Sequence, residues 1–186
     1  MTLNEFKAKL AQNGRDGVFF SKEQLVVWVL ELSADIPGSK PNAVTLAYSG
    51  PLDPAGTGLW STKVAETIGA NSNGYVRTIE QTDIAKGLNS TLFRDALLIA
   101  VGGSNAEREL VLIGADVTGT RVSSGLWDEA SKLFMSTADG PVRSLVPFSS
   151  VDRVFAQSEI QAIINNPKIP NFDGIPREQI FPEHKI

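Results

Sequence analysis

The six residues AVTLAY at 43–48 form a short β-prone run, which the turn residues SGP at 49–51 interrupt. A run of this length and composition, bounded in this way, predicts a buried strand followed by a turn. A helix is expected at 59–70, a second strand from Tyr75 to Ile79, and a third from Val142 to Phe148. Strands that alternate with helices indicate an α/β fold, in which ligands bind at the carboxyl ends of the strands.

Helices are predicted on both sides of these strands, from apolar periodicity and capping residues. The expected helices are 3–13, 22–33 with Ser21 as its cap, 90–101 between Asn89 and Gly102-Gly103, 105–114, 124–138, and 159–165 with Ser158 as its cap. A fourth strand is predicted from Val151 to Phe155. The chain is expected to form a single domain of residues 1–186. Within it we predict a helical N-terminal part at 1–42, a core at 43–165 with a small, mainly parallel sheet flanked by helices, and an extended tail at 166–186.

Composition excludes several classes of function. The chain has 186 residues, a net charge of −4 and no block of basic residues, which argues against a nucleic-acid partner. It contains no cysteine, so disulfides and thiolate nucleophiles are excluded. The single histidine, His184, makes a histidine-rich metal site or a Ser-His-Asp triad improbable, and we predict no metal. No apolar run reaches the length of a membrane span.

Two carboxylates and a strand end are candidates for chemistry. Tyr48-Ser49-Gly50 is either a simple strand terminus or an aromatic shelf beside a bare backbone that a phosphate or ribose can approach. Glu80 is either a solvated carboxylate at a strand end or one that orients an amide or hydroxyl of a substrate. Glu159 falls in the first turn of a predicted helix, where the helix dipole alone favours a carboxylate.

Aromatic residues supply the remaining candidates. Trp127, Ser131 and Phe134 recur at helical spacing, which is typical of a core stripe. An exposed Trp at a helix start is nevertheless a good platform for a cationic pyridinium, through cation–π attraction. Trp60 fits a core position and is also a second candidate shelf.

The ordered set of these stretches resembles the ADP-ribosyl cyclase / NAD glycohydrolase family. The family has an aromatic-Ser-Gly strand end, a helix, a Thr-Leu-Glu-Asp-Thr-like stretch, a Trp-led helix of pattern W-x3-S-x2-F/Y-x3-A-x-G-x-V, and a Phe shortly before a catalytic Glu. The matching residues here are Tyr48-Ser49-Gly50, Val64-Ala65-Glu66, Thr78-Ile79-Glu80-Gln81-Thr82, the series Trp127, Ser131, Phe134, Ala138, Gly140 and Val142, and the pair Phe155 and Glu159.

The resemblance covers roughly residues 43 to 165 and implies an ADP-ribosyl cyclase-like fold with NAD as a substrate and no cofactor. Glu159 is then expected to stabilise positive charge at the anomeric carbon and hold the ribose hydroxyls. Glu80 would orient the carboxamide of nicotinamide, and Trp127 would sandwich its ring with Tyr48 or Trp60. The remaining residues expected to bind substrate are Ser49, Gly50, Thr78, Ser131, Phe134 and Phe155.

Three departures from the animal members matter. Those members carry disulfides, their first aromatic is often Trp rather than Tyr48, and their second acidic residue is Gln81 here. On the first two counts the chain is closer to toxin domains of bacterial polymorphic and contact-dependent inhibition proteins. The resemblance therefore implies an NAD-consuming toxin domain that is secreted or delivered from a cell surface, acts in the target-cell cytoplasm, and is silenced by a cognate immunity protein. A non-catalytic binding module on the same fold and a protein ADP-ribosyltransferase are the alternatives.

Overall fold

The computed structural model describes residues 1–48, 61–102, 125–145 and 159–180. The chain divides into two compact units. The first, here called the helical unit, consists of residues 1–34 and 82–130; the second, the sheet unit, consists of residues 35–81 and 131–186. The helical part is thus not confined to the N-terminal 42 residues, because residues 82–130 belong to it as well.

The α/β class is confirmed. The described residues form seven α-helices: α1 (Leu3–Leu10), α2 (Lys22–Leu30), α3 (Ser61–Ala70), α4 (Asp83–Leu88), α5 (Thr91–Val101), α6 (Leu126–Ser136) and α7 (Ile160–Asn165). They also form five short strands: β1 (Val44–Ala47), β2 (Val76–Arg77), β3 (Val142–Ser144), β4 (Asn171–Phe172) and β5 (Ile175–Pro176). None of the described helices is long and apolar enough to cross a membrane.

Side-chain caps set most of the helix starts in the helical unit. Thr2 and Glu5 form a capping box at α1, and the Ser21 hydroxyl accepts from the Gln24 amide at the predicted start of α2. The sequence analysis missed α4, which begins after Thr82. Asn89 consequently ends α4 and does not cap α5, which begins after Ser90 and closes as expected at the left-handed Gly102.

The core of the helical unit is almost entirely hydrocarbon. Helices α1, α2, α4 and α5 pack on one another. Phe6 and Phe93 lie at the centre, fully buried, with their rings tilted and their centroids 5.9 Å apart. The surrounding apolar side chains that are also fully buried include Leu25, Val29, Ile84 and Leu88. Burial of this kind supplies the main favourable free energy of folding.

The sheet has the strand order β2-β1-β3-β4-β5. The first four strands are parallel neighbours and β5 is antiparallel to β4, so the sheet is mainly parallel as predicted. The second and third strands are shorter than expected: β2 ends at Arg77 and β3 at Ser144. Before β3, the turn at Gly140 lies against the backbone, and a Cβ there would come within 2.4 Å of the Ala43 carbonyl oxygen. Only glycine fits that turn.

The tail expected from residue 166 is not a simple extended segment in its described part. Strands β4 and β5 form a hairpin whose two turn residues, Asp173 and Gly174, have φ of 48° and 83°. Two consecutive positive φ values are typical of a type I′ turn. Phe172 is fully buried and belongs to the sheet-unit core. The turn at Asp173-Gly174 and the buried Phe172 therefore order this segment, although its prolines had predicted an extended tail.

One apolar cluster, here called the sheet-unit core, holds this unit together. It joins residues of β1, α6, β3, α7 and the C-terminal hairpin region: Ala47, Phe134, Met135, Ala138, Val142, Ile160, Ile163, Ile169, Phe172 and Ile180, with Ile36, Ile79, Ala162 and Ile164 packed against it. Asn166 connects the C-terminal ends of α6 and α7. Its side-chain amide nitrogen Nδ2 donates to the carbonyl oxygens of Met135 (2.9 Å) and Ala138 (2.8 Å).

Candidate functional site

Tyr48 and Glu80 follow neighbouring parallel strands at the same edge of the sheet. Thr45 of β1 is paired in register with Arg77 of β2. Tyr48 and Glu80 each lie three residues beyond that pair, in the direction of the carboxyl ends of the strands. This is the edge at which α/β sheets bind ligands. The topology therefore brings these two predicted site residues to one edge.

Glu80 lies in a turn rather than at a strand end. The strand predicted to reach Ile79 stops at Arg77, and Ile79–Gln81 forms a single 3₁₀ turn. The Gln81 side chain closes this turn, because its Oε1 accepts from the Thr78 amide (2.8 Å) and the Thr78 hydroxyl (3.2 Å). Thr78 is fully buried and committed to this local bond, so its contribution to the site is to fix the turn that carries Glu80.

The Glu80 carboxyl is poorly solvated. Burial raises its pKa to about 7, and a hydrogen bond with its own backbone opposes the shift only in part. Its Oε2 is buried and has no hydrogen-bond partner within the ranges that the structure describes. A carboxyl solvated at a strand end has neither property. Both protonation states of Glu80 are thus accessible near neutral pH.

Tyr48 has a similar unsatisfied group. Its side chain is partly buried, and its hydroxyl is buried with no hydrogen-bond partner in the described part of the chain. The residues predicted to accompany it, Ser49, Gly50 and Trp60, lie outside the described residues, as does Phe155.

Glu159 immediately precedes α7, one residue before the position in the first turn that the sequence predicted, and its predicted cap Ser158 lies outside the described residues. Glu159 is only 8% exposed, which a carboxylate serving merely as a solvated helix-start residue does not require. The next residue, Ile160, is buried in the sheet-unit core. Glu159 is therefore a buried acidic residue directly before a helix that packs into the core.

The three residues of the predicted aromatic stripe on α6, Trp127, Ser131 and Phe134, differ in burial. Trp127 is partly exposed and lies in the portion of α6 that belongs to the helical unit. Ser131 (5% exposed) and Phe134 (1% exposed) lie in the portion that belongs to the sheet unit. Phe134 is a member of the sheet-unit core, so the structure favours the core interpretation for this ring.

Arg77 is the residue that sequence reasoning missed. It is 3% exposed, and its guanidinium donates to the hydroxyls of Thr45 (2.7 Å) and Thr137 while lying 4.9 Å from the Phe134 ring centroid. Burial lowers its pKa, and the charges of Asp139 and Asp35 act in the opposite direction. The available signal was a charged residue inside an apolar strand. Arg77 lies in β2 and bonds to Thr45 of β1 and to Thr137, which follows α6. These bonds hold the two strands and the end of α6 together beside the candidate site.

The sheet-unit core anchors three candidate site residues through their neighbours in sequence. Ala47 precedes Tyr48, Ile79 precedes Glu80 and Ile160 follows Glu159, and all three neighbours pack in or against this cluster. Among the described residues, no group of three or more acidic or histidine side chains could hold a metal ion. The candidate residues of this unit thus include the partly buried carboxyl of Glu80, the buried carboxyl of Glu159 and the phenol hydroxyl of Tyr48, groups suited to hydrogen bonding and charge stabilisation.

Comparisons with protein-family models, with curated proteins and with solved structures found no match to this chain.

Proposed function

We propose that this chain cleaves the nicotinamide–ribose bond of NAD⁺, as a glycohydrolase or an ADP-ribosyl cyclase. The observation that carries the proposal is Glu80, a partly buried carboxyl whose pKa is about 7 and whose buried Oε2 has no partner among the described residues. Desolvation shifts this pKa, and such shifts are concentrated at functional sites. Glu80 also follows a parallel strand, at the edge where α/β sheets bind ligands.

The chemistry of NAD cleavage suits these side chains. The bond between the anomeric carbon and the pyridinium nitrogen breaks with its electron pair moving to the ring, through an oxocarbenium-like transition state. A carboxylate as little exposed as Glu159 stabilises the developing positive charge more strongly than a solvated one, because the surrounding dielectric is low. Glu80 holds the carboxamide of the leaving nicotinamide.

The second step completes the reaction without a cofactor. Water attacks the anomeric carbon and loses a proton, which yields ADP-ribose. Attack by a nitrogen of the substrate's own adenine yields the cyclic product instead. Which product dominates depends on how water is excluded and how the adenine is folded back.

We further propose that the chain is a bacterial toxin domain that depletes NAD in the cytoplasm of a target cell and is inhibited by a cognate immunity protein. The support is the resemblance of its ordered motifs to the toxin members of the family. The absence of cysteine from all 186 residues fits this role, since the fold then needs no oxidising compartment.

The decisive experiment is incubation of the purified protein with NAD⁺, followed by chromatographic separation of the products. Wild type is expected to release nicotinamide together with ADP-ribose or cyclic ADP-ribose. Glu159→Gln is expected to keep the fold and lose about 10²- to 10³-fold in kcat, the usual effect of removing one charge-stabilising group.

A matched control is Glu178→Gln, because the Glu178 side chain is 71% exposed and belongs to the same unit. This variant should turn over NAD at the wild-type rate. An unchanged NAD pool with wild type would favour the non-catalytic binding module, and label from NAD found on protein would favour the transferase. Wild-type turnover by Glu159→Gln would show that another residue stabilises the transition state.

A further inference from the structure

Two asparagines of this chain directly precede a glycine, in the pairs Asn13-Gly14 and Asn73-Gly74. In such a pair the backbone nitrogen of the glycine can attack the side-chain carbonyl carbon Cγ of the asparagine, because glycine has no side chain to obstruct the approach. A new C–N bond forms as ammonia leaves, and the product is a five-membered succinimide ring. The two dipeptides are identical, so the structure around each one decides which of them reacts in the folded protein.

The pair Asn13-Gly14 is held by two hydrogen bonds at its reacting atoms. Asn13 Oδ1 accepts from the Phe20 amide (3.1 Å). The Gly14 amide donates to the Val18 carbonyl oxygen (2.6 Å). The first bond fixes the side chain that would be attacked, and the second keeps the proton on the nitrogen that would attack. Both bonds must break before the ring can close, so the fold protects this pair.

The pair Asn73-Gly74 has neither bond. Asn73 is exposed, and within the ranges that the structure describes neither its side chain nor the Gly74 amide nitrogen has a hydrogen-bond partner. The two residues form a turn with φ of 53° and 85°, and the Tyr75 amide closes it by donating to the Ser72 carbonyl oxygen (3.1 Å). Ring closure therefore disturbs one local bond of the turn, rather than two bonds at the reacting atoms themselves.

We propose that Asn73 is a site of spontaneous deamidation, and that the isoaspartate formed there weakens the pairing of β1 with β2. Water opens the succinimide at either of its carbonyl carbons, which yields aspartate or isoaspartate. Each conversion consumes a water molecule and releases an ammonia molecule, and needs no enzyme or oxidant. In isoaspartate the main chain runs through Cβ and Cγ of residue 73, which adds a CH₂ group to the backbone before Gly74.

The backbone around Gly74 has no room for an added CH₂ group. A Cβ on Gly74 would come within 2.2 Å of the Gly38 carbonyl oxygen. The Gly74 carbonyl oxygen accepts from the Lys40 amide (2.9 Å). The carbonyl oxygen of the next residue, Tyr75, accepts from the Val44 amide at the start of β1 (2.9 Å). A longer backbone just before Gly74 cannot keep all of these contacts, so we expect it to displace the start of β2 from β1.

The first test compares the two pairs within one protein. Purified protein is incubated in mildly alkaline buffer and digested with trypsin, and tandem mass spectrometry assigns each deamidation to its residue. Because two hydrogen bonds protect Asn13, we expect Asn73 to react about 5- to 100-fold faster in the folded protein. In denaturant the two rates should become similar. Equal rates in the folded protein, or a ratio that denaturant leaves unchanged, would overturn the proposal.

The second test measures what the modification does to the fold. Asn73→Gly keeps a residue that tolerates a positive φ but has no side-chain amide, so this variant cannot deamidate at residue 73. After equal incubation, wild type should have a Tm about 2–4 °C below that of its fresh sample, whereas Asn73→Gly should keep its Tm. An unchanged Tm in a wild-type sample that is mostly modified at Asn73 would overturn the proposed effect on β2.

A third variant, Asn73→Asp, separates the new charge from the longer backbone. It carries the carboxylate of the deamidated protein on a normal main chain, so its fresh sample should have a Tm within about 1 °C of fresh wild type. If fresh Asn73→Asp were as unstable as incubated wild type, the charge and not the isoaspartate backbone would weaken the sheet, and the proposal would be overturned. None of these measurements uses NAD, so their outcome is independent of the proposed function.

Discussion

The helical unit and the sheet unit differ in what they bury. Seven of the nine buried polar or charged side chains among the described residues belong to the sheet unit, and only Thr82 and Asp128 belong to the helical unit. The helical unit instead surrounds Phe6 and Phe93 with aliphatic side chains. Hydrocarbon burial favours folding, whereas each buried polar group must be compensated by hydrogen bonds. The difference indicates that apolar burial dominates the helical unit, whereas the sheet unit depends more on paired polar groups.

The sheet unit compensates most of its buried polar groups, and the exceptions are informative. Arg77 is held by Thr45 and Thr137, and Asn166 by three carbonyl oxygens of the α6 C-terminal region. Tyr48 and Glu80 each retain one buried oxygen, and Arg177 retains its buried Nε, without a partner among the described residues. Arg77 and Asn166 thus find partners within the sheet unit, whereas Glu80 Oε2 finds none among the described residues.

The largest effect is expected from Phe6→Ala in the helical unit. Deleting a fully buried aromatic ring removes its transfer free energy and leaves a cavity, which should lower the free energy of unfolding by about 3–5 kcal/mol. Phe19→Ala, at a side chain that is 63% exposed, is the control and should change it little. Chemical denaturation measures both. A loss below 1 kcal/mol at Phe6 would contradict the view that this apolar core stabilises the protein.

Arg77→Met tests the polar frame of the sheet unit. The variant keeps an unbranched side chain but leaves Thr45 and Thr137 without their donor, so we expect a loss of about 2–4 kcal/mol in the free energy of unfolding. Arg94→Met in the helical unit removes a bond to the exposed side chain of Asn89 and should cost less than about 1 kcal/mol. If Arg77→Met and Arg94→Met lowered the free energy of unfolding equally, the sheet unit would not depend more than the helical unit on its polar contacts.

The smallest effect concerns the pH dependence of stability. The Glu80 carboxyl has its ordinary pKa of about 4.5 in the unfolded chain and about 7 in the folded protein. Between these values the folded state binds more protons, so the free energy of unfolding falls as pH rises from about 4.5 to 7. We expect this component to be on the order of 1–2 kcal/mol, after discounting for partial solvent screening.

Glu80→Gln should remove this component, which is measured as the difference in free energy of unfolding between pH 5 and pH 8. Glu178→Gln, at an exposed side chain, should retain the wild-type slope. If the free energy of unfolding of Glu80→Gln changed with pH as much as that of wild type, Glu80 would titrate at its ordinary pKa. That result would remove the main support for the role of Glu80 in the site.

Local sequence signals predicted much of the fold. Ser21 and Gly102 mark a helix start and a helix end as expected, because caps act on adjacent backbone groups. The strand at 44–47 was predicted by its β-prone residues and the turn that follows them. Helix α4 was missed because its six residues are too few to show a clear period. The hairpin after Pro170 was missed because the prolines outweighed the turn signal of Asp173-Gly174.

For the candidate site, the sequence supplied a list of residues but not the environment of each one. The sequence named Tyr48, Glu80 and Glu159 from their positions next to predicted strands and helices. It could not show that Glu80 lies in a turn closed by Gln81, or that Phe134 is a core ring beneath the Arg77 guanidinium. These features depend on contacts between residues that are distant in the chain, which propensity and periodicity do not encode.

The sequence by itself determined the α/β class, the helix caps and the order in which the candidate carboxylates occur, because each of these depends on neighbouring residues. Only the tertiary structure decided that the chain divides between an apolar helical unit and a polar sheet unit. The sequence predicted that Tyr48 and Glu80 lie near one sheet edge, and the tertiary structure supplied the strand pairing of Thr45 with Arg77 that brings them there. It also raised the pKa of Glu80, because desolvation depends on everything that packs around a group and not on the residues beside it in the chain.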